Sequence, residues 1–90
     1  MKTFEDLVFK VSEDTPGLTR ASLSFDNGYG ISVISGYGAY GDGNHPYEIA
    51  VLDKEGNLTY STKVTNDVIG YCTEKDVSRY MKMIQELPSA

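Results

Sequence analysis

Three stretches of the chain alternate apolar and polar residues with a period of two, which is the pattern of a β-strand with one solvated face. Residues 7–11 and 30–35 add two shorter, more continuously apolar stretches. The pattern therefore predicts four to five strands between residues 7 and 64. The apolar positions of the three alternating stretches are Ala21, Leu23 and Phe25, then Tyr47, Ile49 and Val51, then Leu58, Tyr60, Thr62 and Val64.

Turn-forming residues separate these stretches. Asp14-Thr15-Pro16-Gly17 ends the first one, and Asn27-Gly28, a dipeptide that tolerates positive φ at both positions, predicts a tight hairpin. Residues 53–57 predict a type I turn followed by a left-handed glycine. Because successive strands lie so close together in sequence, the simplest pairing is an antiparallel meander.

The last quarter of the chain changes to a helical period. Thr73 followed by Asp76 resembles a capping box, and Pro88 ends the segment, so a helix is predicted at about residues 74–87. Just before it, residues 66–70 predict one helical turn that delivers Ile69 and Tyr71 to the core. The fold class is therefore α+β, with the sheet covered on one face by the C-terminal helix. The apolar helix positions are Val77, Tyr80, Met81, Ile84 and Leu87.

Length and charge restrict the function classes. Ninety residues suit one domain, residues 1–90, and 13 acidic against 8 basic residues give a net charge of −5. That charge argues against direct nucleic-acid binding, which depends on Lys and Arg. No apolar run approaches a membrane span, and the acidic start does not resemble a signal peptide, so we expect a cytoplasmic protein with no membrane contact.

Few residues could hold a metal or perform catalysis. One His and one Cys cannot form a structural zinc site, so we expect no metal and no cofactor. His45 is the only candidate general base near neutral pH, but the glycines around it favour an exposed loop histidine. Cys72, next to the helix start, is interpreted as a small core residue rather than a nucleophile. We therefore expect no catalytic residue.

Residues 36–46 form a long glycine-rich connection. Its first six residues match G-x-G-x-x-G, but Asp42-Gly43-Asn44-His45-Pro46 cannot begin the helix that a dinucleotide site requires. The interpretation is a flexible hairpin loop. A loop of this length is uncommon in so small a domain, and long loops often have a function.

This loop and its flanking strands form the candidate binding region. No Lys or Arg occurs between Ala21 and Asp53, whereas the same stretch is rich in tyrosine, glycine and acidic residues. Tyrosines on a glycine-rich backbone are common in recognition surfaces, and negative charge steers a basic partner. Alternatively, Tyr29 and Tyr47 are ordinary sheet residues. The predicted partner-binding residues are Tyr29, Tyr37, Tyr40, Asp42, His45, Tyr47 and Glu48.

Several segments resemble small proteins encoded by tailed bacteriophages. They are residues 25–33, 47–52, 58–60 and 67–71, together with Asp76-Val77, Tyr80-Met81 and Gln85-Glu86-Leu87 near the end. Phage proteins of this size and charge often inhibit host defence, and anti-CRISPR proteins are among them. The resemblance implies a non-enzymatic inhibitor that acts in the cytoplasm of the host cell on a defence protein, one with a basic nucleic-acid channel.

Two other hypotheses remain open from the sequence. A small-ligand binder, such as a sponge for a nucleotide signal, would use backbone amides of the glycine loop. A minor enzyme would depend on His45. For each hypothesis, an exposed edge strand such as residues 7–11 could pair across a two-fold axis and form a homodimer.

Overall fold

The computed structural model describes all 90 residues, Met1–Ala90. One five-stranded antiparallel sheet has its strands in sequence order, and a single α-helix packs on one face. This architecture confirms the predicted α+β meander with a C-terminal helix. No helix is long and apolar enough to cross a membrane. The elements are β1 (Lys10–Val11), β2 (Leu18–Ser24), β3 (Gly30–Gly36), β4 (Tyr47–Leu52), β5 (Ile69–Cys72) and α1 (Glu74–Gln85), preceded by a 3-10 helix (Phe4–Asp6).

The core lies between α1 and the central strands, which the alternating pattern predicted. Val77, Met81 and Ile84 are the fully buried residues of α1. The register pairs Leu23 with Ile31, Ile31 with Val51 and Val33 with Ile49, so these side chains share the face under the helix. Burying apolar side chains on one face of each element is the main source of stability here. The buried core cluster consists of Phe25, Ile31, Val33, Ile49, Val51, Cys72, Val77, Met81 and Ile84.

The start of α1 has the predicted capping box. The Thr73 hydroxyl accepts a hydrogen bond from the amide of Asp76, and Asp76 Oδ2 accepts one from the amide of Thr73. These bonds satisfy two amides at the helix N-terminus. They also hold the pKa of Asp76 below its ordinary value, with the backbone bond from Thr73 as the main cause.

Two hairpins share one loop geometry, with a glycine of positive φ at its fourth position. Gly28 has φ 93° and Gly56 has φ 81°, and each donates its amide to the carbonyl three residues earlier. The left-handed glycine predicted for residues 53–57 is thus confirmed. In the first hairpin only Gly28 has positive φ. Asn27 instead donates its side-chain amide to the carbonyls of Ile84 and Leu87, which joins the hairpin to the end of α1.

The first strand is shorter than predicted. Of residues 7–11, only Lys10–Val11 pairs with β2, opposite Arg20 and Thr19. Phe9 instead packs against Phe4 and Tyr47, with ring centroids 5.7 Å away in both cases. Side-chain packing with the 3-10 helix therefore replaces strand pairing in the first part of this segment.

The strand predicted at residues 58–64 is wrong. Only Leu58 forms a bridge, to Leu52, and the following segment has no strand. Hydroxyl groups make local hydrogen bonds there: Thr59 Oγ1 to Ser61 Oγ, and the Val64 amide to Thr62 Oγ1. Local side-chain bonds of this kind compete with strand pairing.

The helical turn predicted at residues 66–70 is also wrong, because Ile69–Cys72 forms strand β5 on the free edge of β4. Ile69 packs against the core as expected. Tyr71, predicted to be a core residue, is 57% exposed. The strands therefore extend to residue 72, beyond the predicted limit of 64.

Candidate functional site

The long β3–β4 loop lies at one end of the sheet, and backbone hydrogen bonds fold it into two turns. The Ala39 amide donates to the Gly36 carbonyl, and the Tyr37 amide donates to the carbonyl of Gly17 in the β1–β2 turn. Gly36 has φ 97°, and a Cβ at this position would collide with the Gly17 carbonyl oxygen. Glycine is therefore required where the loop leaves β3.

The tip of the loop is closed by Asp42. Its Oδ1 accepts hydrogen bonds from the amides of Asn44 and His45, at 2.9 and 2.7 Å, and its own amide donates to the His45 carbonyl. The amide of His45, then that of Asn44, holds the pKa of Asp42 below its ordinary value. His45 Nδ1 lies 3.3 Å from the same oxygen, and both side chains are exposed. The Asp42 side chain therefore stabilises the turn at the tip of the loop.

Tyr40 connects the loop to β4 and to the edge strand β5. Its amide donates to Glu48 Oε1 of β4 at 2.8 Å, and its carbonyl accepts from the Tyr71 amide of β5 at 2.8 Å. A Cβ at Gly70 would lie 2.6 Å from Tyr40 Cβ, so glycine allows this close approach. These contacts hold the Tyr40 backbone in place while its side chain is 62% exposed.

Tyr71 lies beside Tyr40 and is a candidate site residue that the sequence analysis did not include. The register of β4 and β5 shifts between Tyr47–Cys72 and Ile49–Ile69, so Gly70 and Tyr71 together face Glu48. Tyr71 has φ 55° and is the only non-glycine residue with positive φ. Such a conformation in a bulky residue is costly, and bulges and strain of this kind cluster at functional sites. No pattern in the sequence signals it, because the bulge depends on pairing with β4.

The predicted binding residues do not form one surface. Tyr29 precedes β3 and therefore lies at the opposite end of the sheet from the loop, where it packs against the core. Tyr47 packs between Phe4 and Phe9, and burial raises its pKa, with the charge of Glu74 as a second cause. The remaining predicted residues, Tyr37, Tyr40, Asp42, His45 and Glu48, meet at the loop end. Tyr37 is 75% exposed.

The loop end is strongly acidic in three dimensions. The β1–β2 turn, the β3–β4 loop and the first turn of α1 all lie at this end, because β1, β3 and β5 finish there. These segments, residues 12–17, 37–46 and 73–76, contain five carboxylates and one lysine, Lys75. Arg79, in the next turn of α1, lies 3.4 Å from Asp76 Oδ1 and partly offsets the charge of that carboxylate. We call Tyr37, Tyr40 and Tyr71 with these five carboxylates the acidic tyrosine surface. The carboxylates are Glu13, Asp14, Asp42, Glu74 and Asp76.

The groups beside the loop bear on the small-ligand and catalytic hypotheses. The depression beside the loop, about 320 Å³, is lined by Ser35, Gly36, Gly41, Asp42 and Pro46 and has no Lys or Arg. The Ser35 hydroxyl bonds to Thr19 Oγ1 at 2.8 Å, so it is not paired with His45. No group of three His, Cys, Asp or Glu residues is arranged to hold a metal ion.

Cys72 is the other candidate nucleophile, and it lies in the core. Its side chain is 2% exposed, as the core interpretation expects. Burial raises the pKa of the thiol to about 11, and the charge of Asp76 contributes in the same direction. A thiol with a raised pKa is a poor nucleophile, because the thiolate is the reactive form.

Comparisons with known proteins do not extend this description. No family model matches the chain, and neither curated proteins nor solved structures gave a match.

Proposed function

We propose that this protein is a non-enzymatic inhibitor that binds a basic surface of a partner protein through the acidic tyrosine surface. One observation carries the proposal: three exposed tyrosines lie among five carboxylates at one end of the fold. Tyrosine buries a large area for few frozen torsions and keeps a hydroxyl for hydrogen bonding. The carboxylates steer a cationic partner and disfavour acidic ones.

The hydrogen bonding of the loop supports the proposal. The Tyr40 backbone is bonded on both sides, to Glu48 and Tyr71, and the Asp42 side chain closes the tip. A loop that is ordered before binding loses less conformational entropy on association. In this arrangement Glu48 acts by holding Tyr40, and the exposed tyrosine rings make the contacts.

The resemblance to small phage proteins suggests the class of partner. A host defence effector that binds nucleic acid has a basic channel, and an acidic tyrosine-rich surface complements such a channel. A net charge of −5 is too low for a general mimic of DNA. We therefore expect tyrosine contacts to contribute more to affinity than net charge does.

Affinity capture tests the proposal. The tagged protein is incubated with bacterial lysate, and the captured protein is identified by mass spectrometry, purified and titrated with each variant. We expect Tyr37→Ala with Tyr40→Ala to weaken binding by tenfold or more, since a hot-spot tyrosine contributes about 2 kcal/mol. Tyr60→Ala is the matched control, because Tyr60 is an exposed tyrosine outside the loop end.

Two further readouts make the test specific. Binding should weaken with added salt, because steering by exposed charges is screened. The wild-type protein should also inhibit the nucleic-acid binding of the purified partner, and the double variant should not. Failure to enrich a basic nucleic-acid-binding protein, or equal binding by the double variant and Tyr60→Ala, would contradict the proposal.

A further inference from the structure

The sheet has a second face that α1 does not cover. Strand register places Arg20, Ile34 and Glu48 in one row across β2, β3 and β4 on this face, because their neighbours Ala21, Val33 and Ile49 are buried on the opposite face. The adjacent row is Ser22, Ser32 and Ala50. Small side chains in the second row leave a groove of about 410 Å³, with Leu58 and Val68 along its β4 side.

The charges on this face are arranged in two halves. Lys10 of β1 lies opposite Arg20 of β2, so these two strands carry the positive charge of the face. Glu48 of β4 carries the negative charge. Neither Arg20 nor Glu48 forms an ion pair within the chain, and the only hydrogen bond of the Glu48 carboxylate is the one that Oε1 accepts from the Tyr40 amide. Arg20 and Glu48 are two strands apart, roughly 10 Å, with Ile34 between them. Glu13 and Asp14 border Arg20 from the β1–β2 turn, but no ion pair joins them to it.

We propose that a second copy of this chain covers this face and that the two sheets pack face to face in a symmetric dimer. The two-fold axis of this dimer is parallel to β3 and lies midway between the two sheets. Rotation about it places β2 of one copy over β4 of the other. Each Arg20 then faces Glu48 of the other copy, and the two Ile34 side chains meet at the axis. The face is complementary to itself, which is the requirement of a two-fold interface.

The apolar groups at the rims fit the same arrangement. Val8 is 70% exposed and lies at the β1 side of the face, whereas Val68 and Leu58 lie at the β4 side. The same rotation brings the β1 side of one copy over the β4 side of the other, so these apolar rims also face each other. Sheets packed face to face lie about 10 Å apart, a spacing that one layer of interleaved side chains fills.

The size of the molecule permits a stable interface. The chain measures 35 × 25 × 24 Å along its principal axes. A face of this size can supply the roughly 800 Å² per partner that a standard interface buries. Because the axis is parallel to β3, the β3 strands of the two copies run in the same direction. The two acidic tyrosine surfaces would therefore lie at the same end of the dimer. Two linked binding surfaces raise avidity for a partner with repeated sites.

Sedimentation velocity of the full chain, without any binding partner, tests the dimer from micromolar to millimolar concentration. We expect wild type to dimerise, and Arg20→Glu or Glu48→Arg alone to weaken dimerisation by tenfold or more, because each creates two like-charge contacts. An equimolar mixture of the two variants should dimerise again, because each acidic position then faces a basic one. Circular dichroism confirms that each variant is folded.

Control variants separate this face from general charge effects. Lys82→Glu and Glu86→Arg make comparable charge changes at exposed positions near the end of α1, and both should dimerise like wild type. Ile34→Glu places charge at the axis without touching the loop and should give a monomer. Monomeric wild type at the highest concentration, single variants that dimerise like wild type, or a mixture that stays monomeric would each overturn the proposal. Because no partner is present, these outcomes do not depend on the proposed inhibitor function.

Discussion

The backbone conformation of Tyr71 predicts that a glycine at this position gives a more stable protein than an alanine, the reverse of the usual order in a strand. Tyr71 has φ 55°, in the left-handed region that disfavours residues with a Cβ. Tyr71→Ala and Tyr71→Gly remove the same ring, which is more than half exposed, so both lose the same modest packing. They differ in one respect, because only alanine keeps the Cβ that makes this conformation costly.

The expected difference follows from two opposing effects. The left-handed conformation costs an L-residue about 1–2 kcal/mol, which Tyr71→Gly relieves and Tyr71→Ala retains. Glycine in a strand costs about 0.5–1 kcal/mol relative to alanine, because its unfolded chain has more freedom. We therefore expect Tyr71→Gly to be more stable than Tyr71→Ala by roughly 0.75 kcal/mol, the difference between the midpoints of these two ranges. At an ordinary strand position the order would be reversed.

Urea unfolding followed by circular dichroism measures this difference, and thermal unfolding checks it. For a domain of this size, about 1 kcal/mol corresponds to roughly 4–8 °C in Tm. Tyr60→Gly and Tyr60→Ala form the control pair, because Tyr60 is exposed and has no positive φ. Tyr60→Ala should be the more stable of that pair. If Tyr71→Ala equals or exceeds Tyr71→Gly in stability, the strain argument is refuted.

The same two variants connect strain to function. Both remove a ring of the acidic tyrosine surface, so both should bind the captured partner more weakly, whatever their stability. A variant that relieves strain and still loses binding would show that the strained tyrosine is retained for recognition.

Two further predictions concern the core and the hairpin contact. Asn27→Ala removes two hydrogen bonds to the carbonyls of Ile84 and Leu87 and one from the Tyr29 amide. It should lower the free energy of unfolding in urea by about 2–3 kcal/mol. Asp26→Ala, at the exposed neighbour, should change it little, and equal effects would contradict this role. Because burial raises the pKa of Cys72 from 9.0 to about 11, the folded state favours the neutral thiol, so stability should be full below pH 9 and fall by up to roughly 3 kcal/mol as pH rises towards 11. Urea titrations at several pH values should show a smaller fall for Cys72→Ala, and an identical fall in both proteins would refute this assignment.

Part of the acidic tyrosine surface could be predicted from the sequence. The absence of Lys and Arg between Ala21 and Asp53 indicated the loop that carries most of this surface, and local turn chemistry places Tyr37, Tyr40 and Asp42 together. Tyr29 lies outside the surface because one strand length separates the two ends of β3. Tyr71 belongs to it through a bulge that forms only when β5 pairs with β4, so no local pattern could indicate it.

The alternation of apolar residues and the helical period at the end determined the fold class, because burial of one face is encoded residue by residue. The cap of α1 and the left-handed Gly56 were equally local, since each depends on neighbours within four residues. Only the tertiary structure decided that residues 58–64 form no strand while Ile69–Cys72 does. Edge strands are selected by competition for one free row of backbone groups, and that competition depends on contacts that are distant in sequence. The arrangement of charges on the second face of the sheet also depends on tertiary structure. Arg20 and Glu48 share a row only after three strands have paired in register.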